Sequence, residues 1–190
     1  MKAKILEKNI LSNRWADYSE YTIEYIRSDG RVEKHVREIH DTGNGASVLL
    51  YNLEKREVLL IQQFRLATLL NENESGIILE TVAGLIENED PHSSIIREIK
   101  EETGLIIHDV NFLFKGYATP GAKTEIVYFF AAPYDESTIM EESGGLIGEQ
   151  EDIILKYMPF DEAYNGIKSG LIVDMKTICL LQYAKLNIFH

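Results

Sequence analysis

Arg97-Glu98-Ile99-Lys100-Glu101-Glu102-Thr103-Gly104-Leu105 is the stretch on which the fold turns. Upstream, Asp90-Pro91 reads as a helix cap followed by proline at the first helical position, and Gly104 stands where a helix would end. The spacing therefore predicts a helix from about Pro91 to Thr103. At about 100° per residue, Glu101 and Glu102 fall within about 60° of Glu98, so three like charges share one face and repel. A solvated acidic face, eased by an Arg97 to Glu101 pair, is the plain explanation. A divalent cation is the sharper one, because hard cations take oxygen ligands and would cancel the repulsion.

Outward from this helix the chain reads as strands. Ile77 to Val82 is an apolar run ending at Ala83-Gly84, and before it Asn71 to Gly76 is a polar loop. Two earlier runs, Ala46 to Leu53 and Val58 to Phe64, are separated by charged residues and suggest an antiparallel pair. Val110 to Tyr117, Thr124 to Ala132 and Ile153 to Met158 read as further strands, and Phe160 to Lys168 and Lys176 to Leu186 as closing helices. The acidic stretch Asp135 to Asp152 is expected to be a mobile loop. The first 45 residues read as extended, with Ser28-Asp29-Gly30-Arg31 as a tight hairpin between Tyr18 to Arg27 and Arg31 to His40. That hairpin is polar on much of both faces, so it needs something to pack on, and a partner subunit is one answer.

Composition narrows the function classes. The 190 residues suit one ordinary domain with a small appendage, and 45% hydrophobic with 26% charged residues excludes a disordered chain. No apolar run nears the roughly 20 residues that span a bilayer, and Met1-Lys2-Ala3-Lys4 leads into mixed polar sequence without a signal-peptide core, so a cytoplasmic protein is expected. The net charge of −12 disfavours nucleic acid and anionic membranes, which leaves a metal or a local basic cluster to hold any anionic substrate. Cys179, in an apolar run, reads as a small buried hydrophobe, and the five histidines contain no metal-binding pair at helical spacing.

The string from Arg97 to Leu105, together with Ala83-Gly84, resembles the Nudix box, GX5EX7REUXEEXGU with U aliphatic, and matches it at every specified position from Arg97 onward. One residue is missing between Gly84 and Arg97. Glu89 keeps the spacing from the first glutamate of the box to Arg97, whereas Asp90 keeps the spacing from Gly84 and is engaged as the helix cap; Glu89 is preferred, with Asp90 the alternative. Beyond the box, Gly43-Asn44-Gly45-Ala46, Gln63-Phe64-Arg65, Asn73-Glu74-Ser75-Gly76, Pro120-Gly121 with Glu125, Glu151-Asp152-Ile153 and Asp174-Met175-Lys176-Thr177 resemble the GDP-mannose pyrophosphatase branch of the family, close to the ADP-ribose pyrophosphatases.

The resemblance implies an α+β protein: a Nudix α/β/α sandwich with a mixed sheet over residues 46–190, preceded by an antiparallel β region over residues 1–45 that exchanges strands in a homodimer. It implies Mg²⁺-dependent hydrolysis, with Mn²⁺ as an alternative metal, of GDP-mannose to GMP and mannose 1-phosphate. ADP-ribose hydrolysis is the runner-up, and a nucleotide-sugar sensor without turnover is the reading from another class. Glu98, Glu102 and the Ala83 carbonyl would bind the metal, with Glu101 acting directly or through water and Arg97 orienting the glutamates. Glu151 would complete the metal site or activate water, with Glu149 and Asp152 as competitors. Trp15, Arg37, Glu38, Arg65, Gly84, Leu85, Glu125 and Lys176 would line the substrate site, Trp15 stacking on a base and Arg37, Arg65 and Lys176 meeting phosphates or sugar hydroxyls.

Overall fold

A computed structural model describes residues 1–141 and 152–190, and the chain divides into two units. The first comprises Met1–Asn44 and Gly116–Val127. It is built on β1 (Lys2–Ser12), β2 (Asp17–Ile26) and β3 (Val32–Asp41), an antiparallel sheet in the order β1-β2-β3. Ile26 faces Val32 across the tight turn, where Gly30 takes φ +86° and the Asp29 carboxylate accepts the Arg31 N–H. The Gly116–Val127 segment is tied to the same unit because the His40 N–H donates to the Ala122 carbonyl and the Thr124 hydroxyl to Asp41. Every residue of β1 is exposed, including Ile5, Leu6, Ile10 and Leu11.

The second unit, Gly45–Lys115 with Tyr128–His190, carries the acidic helix. Its first strands, β4 (Gly45–Asn52) and β5 (Glu57–Phe64), pair only from Leu50↔Leu59 to Asn52↔Glu57 and then diverge. After the single-turn helix α1 (Leu66–Leu69), which sequence reading did not anticipate, the chain returns to fill that wedge. It does so as two short strands, not the single strand expected over Ile77 to Val82. β6 (Ile77–Glu80) pairs with β5, β7 (Val82–Leu85) pairs with β4, and Thr81 is the break between them. One straight strand cannot follow two edges that splay apart, so the chain changes partner at Thr81.

Helix α2 (Pro91–Thr103) follows, then β8 (Asn111–Tyr117), β9 (Ile126–Pro133), β10 (Ile154–Pro159), α3 (Phe160–Ser169) and α4 (Met175–Asn187). The main sheet runs β10-β5-β4-β9-β8, with β6 and β7 inserted beside β5 and β4. The Ile126 N–H meets the Asn44 side chain and the Tyr134 N–H meets the Tyr51 carbonyl, so β9 lies parallel to β4 while β5 is antiparallel to it. The sheet is mixed.

Both faces are covered, which is why β4 and β5 read as continuous apolar runs without alternation. Val48, Leu50, Leu59 and Ile61 pack with Ile95 and Ile99 of α2 in one core cluster. On the opposite face α3 and α4 pack on each other and on β5 and β4, and Phe160 stacks on Phe189 at 4.2 Å. The result is the α/β/α sandwich expected. Truncating Ile95 or Ile99, both fully buried, to alanine would cost about 2–5 kcal/mol.

Candidate active site

Helix α2 is held in place at both ends and along one stripe. Asp90 caps its start by accepting the His92 and Ser93 N–H groups at 3.0 and 3.1 Å, and Gly104 ends it in the left-handed region at φ +74°. Ile95 and Ile99 are buried against the sheet, which sets the rotation of the helix and swings Glu98 and Glu102, each three residues further on, toward β7. Glu102 is only 2% exposed, and its Oε2 accepts the Ala83 N–H at 3.3 Å. The Glu98 carboxyl lies against Gly84 so closely that any Cβ at residue 84 would overlap it. The glycine is there to let a carboxylate approach the backbone.

Arg97 gathers the neighbouring acids. Its guanidinium reaches Glu89 at 3.0 Å, Glu98 at 2.9 Å and Glu101 at 2.6 Å. Burial works against its charge, but the three carboxylates outweigh that and hold its pKa above the ordinary arginine value. Of the two acids proposed for the first box position, Asp90 is engaged as the helix cap and Glu89 is the one bound to Arg97.

The donors of this region suit a hard divalent cation, because all are carboxylate oxygens and they outnumber the single guanidinium among them. The close seat of Glu98 on Gly84 and the bond from Ala83 to Glu102 put both glutamates beside the strand residue whose carbonyl the sequence resemblance names as a ligand. Among the described residues no three His, Cys, Asp or Glu side chains already form a metal cluster; Glu151 lies outside the described residues, as does its competitor Glu149.

A second polar cluster sits where β5, β6 and α4 converge. Glu80, 3% exposed, divides its oxygens between two cations: Oε2 accepts from Arg65 Nε at 2.6 Å and Oε1 from Lys176 Nζ at 3.2 Å. Lys176 also donates to Asp174 at 2.7 Å. Burial pulls the pKa of Lys176 down, and the adjoining Asp174 and Glu80 carboxylates more than reverse this, leaving it raised. Asp174 caps α4 through the Thr177 N–H and hydroxyl at 2.9 and 2.8 Å. Thr177 Oγ1 in turn accepts the N–H of Thr81 at 2.8 Å, satisfying the backbone donor freed at the break between β6 and β7. Thr81 and Ser47 hydroxyls lie 2.9 Å apart, and Ser47 donates to the Val82 carbonyl.

Sequence reading singled out Arg65 and Lys176, quoted Asp174 and Thr177 beside Lys176 without giving them a role, and passed over Glu80, Thr81 and Ser47. The signal for Glu80 was present: a lone acid in Ile77-Ile78-Leu79-Glu80-Thr81-Val82 must find a cation if that run is buried. Gln63, two residues along β5 from Ile61, the partner of Glu80, and so on the same face, is buried with its Nε2 unpartnered among the described residues.

Trp15, Arg37, Glu38 and Glu125 belong to the first unit, and Gly84, Leu85, Arg65 and Lys176 to the second. Trp15 is 76% exposed with its ring 6.0 Å from that of His40; Arg37 donates to the Val36 carbonyl, Glu38 accepts from the Tyr18 hydroxyl, and Glu125 pairs with Lys123. None of these four is bonded to another among the described residues. The Leu85 carbonyl accepts from Ser94 of α2. No helix of the described residues is long and apolar enough to cross a membrane, and Cys179 is half-buried and free.

Comparison with known proteins covers nearly the whole length of the chain. Residues 41–175 match the NUDIX domain model, whose family generally uses divalent metal ions, and residues 2–40 match the GDP-mannose pyrophosphatase NudK N-terminal domain. A GDP-mannose pyrophosphatase of Escherichia coli O1:K1 / APEC is 43% identical over 96% of this chain and 95% of its own. That of Enterobacter sp. (strain 638) is 43% identical over 98% and 97%, and that of Escherichia coli (strain SMS-3-5 / SECEC) is 44% identical over 94% and 93%. With its acidic helix seated on Ala83-Gly84 and a domain match over most of its length, the chain belongs to the Nudix family of hydrolases.

Proposed function

We propose that this Nudix hydrolase splits the diphosphate of GDP-mannose into GMP and mannose 1-phosphate, with Mg²⁺ held by Glu98, Glu102 and the Ala83 carbonyl. The observation that carries the reading is the near-full-length similarity to proteins named for this activity, which extends into a first domain matched separately at residues 2–40. When bound, the metal supplies charge neutralisation at the phosphoryl oxygens and a bound water of lowered pKa. The chain's own part is to hold the carboxylates and the substrate. Arg97 fixes Glu98 and Glu101 through two ion pairs, and Gly84 gives Glu98 its seat. Arg37, Arg65 and Lys176 present cationic donors to the phosphates or sugar hydroxyls, Trp15 and Glu38 lie near the nucleotide, and Gly84, Leu85 and Glu125 also line the substrate site. Glu151 is assigned as the carboxylate that completes the metal site or activates water.

In this proposal the enzyme works in the cytoplasm as a homodimer, with a Nudix domain over 46–190 and a dimerising β region over 1–45. Support for the dimer comes from β1, an edge strand exposed at every residue that carries Ile5, Leu6, Ile10 and Leu11, surface that calls for a partner.

Initial rates on GDP-mannose, ADP-ribose and other nucleotide sugars, with products identified and with Mg²⁺ present or chelated, test the reading. The highest kcat/KM is expected for GDP-mannose, giving GMP and mannose 1-phosphate. A clear preference for ADP-ribose would move the enzyme to the neighbouring branch, and no turnover of any nucleotide sugar would leave a binding protein.

A further inference from the structure

We infer that Glu80 is a positioning residue that sets Arg65 and Lys176 as one anion clamp. The inference rests on the proposed binding role of those two cations and extends it to a residue that touches no substrate. Glu80 is buried at the end of β6, and each of its oxygens holds a different cation, Arg65 from the end of β5 and Lys176 from the first turn of α4. Cations 15 and 96 positions away in sequence thus meet on one carboxylate.

The geometry of the grip matters. Arg65 is held by Nε, and among the described residues its two terminal nitrogens have no partner, so the part of the guanidinium suited to bidentate contact with a phosphate is left available. Its backbone is fixed as well, since its N–H donates to the Gly76 carbonyl at 2.7 Å. Lys176 spends two donors, on Glu80 and Asp174, and keeps a third. Without a carboxylate between them, two cations brought to one place would repel and swing to solvent. Asp174 restrains only Lys176, whereas Glu80 reaches both.

Glu80→Gln keeps the size but replaces one accepting oxygen by an amide NH₂, which cannot serve a cation. With GDP-mannose and Mg²⁺, KM is expected to rise roughly tenfold while kcat changes by less than about threefold, since misplaced binding groups weaken affinity before they touch the chemistry. The same change is made in an Arg65→Ala/Lys176→Ala background and read as kcat/KM. There it is expected to alter the value by less than about twofold, because the groups it positions are gone. An unchanged KM for Glu80→Gln, or an equal loss in both backgrounds, would overturn the inference. If Arg65→Ala and Lys176→Ala themselves leave KM unchanged, the binding role of the two cations falls first and the inference with it. Should Glu80→Gln fail to fold by thermal melting, Glu80→Asp, which keeps the charge one methylene short, carries the same comparison with the same expected and contrary results.

Discussion

Two clusters of charged side chains in the second unit use the same ingredients in different proportion. Around Arg97, Glu89, Glu98 and Glu101 share one guanidinium, with the buried Glu102 one turn beyond Glu98. Around Glu80 the numbers are even: Glu80 and Asp174 against Arg65 and Lys176. Buried charge is tolerated only when compensated. The balanced cluster compensates itself, and its acids fix where its cations stand. The acidic cluster carries a surplus that its own residues do not cancel, which is what a site for a divalent cation requires. In the proposed function, the proportion of charge, more than the presence of glutamates, separates the metal-binding role from the anion-binding one.

The sharpest way to break this contrast is to remove one acid from the surplus side. Glu102→Gln should retain the fold yet lower Mg²⁺-dependent turnover by at least about a hundredfold, as expected for the loss of a ligand that stabilises developing charge; steady-state rates beside a circular dichroism melt would check both halves. Next in size, Gly84→Ala puts a methyl where the Glu98 carboxyl lies. That carboxyl is the end of a flexible side chain and can swing away, so the melting temperature should barely move while activity falls about tenfold or more.

Smaller effects are expected from the balanced cluster. Thr177→Val strands the Thr81 N–H and removes a donor from Asp174, a loss of about 1–3 kcal/mol of stability with the Glu102 region untouched. For a chain of this size that is a fall of about 2–4 °C in melting temperature per kcal/mol, measurable by calorimetry. An equally large drop in kcat would show that the two clusters are not separable. The smallest effect concerns pH. Lys176 has a raised pKa, so its contribution is fully present below the unfolded-chain value of about 10.5 and is lost only as pH rises through the higher folded value. Thermal melts from pH 7 to 10 should therefore show no loss attributable to Lys176, checked against Lys176→Met.

Much of the acidic cluster was legible in the sequence because its parts are local. Asp90, Pro91 and Gly104 mark the ends of α2, and the spacing of Glu98, Glu101 and Glu102 follows from helical period. Arg97 to Glu101 was foreseeable as an i,i+4 pair; its added contacts to Glu89 and Glu98 depend on how the preceding loop enters the helix. The balanced cluster was not legible as a cluster, since Glu80 and Lys176 lie 96 positions apart and only the packing of α4 on the sheet unites them. The break at Thr81 was hidden for a similar reason. An apolar run states that it is buried, but not that its two halves pair with different strands. The fold class needed no such detail, because β4, β5 and α2 declare their buried positions in their own patterns.

The most direct single measurement is hydrolysis of GDP-mannose by the wild-type protein stripped of metal with a chelator and then titrated with Mg²⁺, followed by release of GMP. The expected result is no release in the stripped protein and a rate that rises and saturates with added Mg²⁺. Release of GMP at an undiminished rate without any divalent cation would contradict the assignment of the acidic cluster as a metal site.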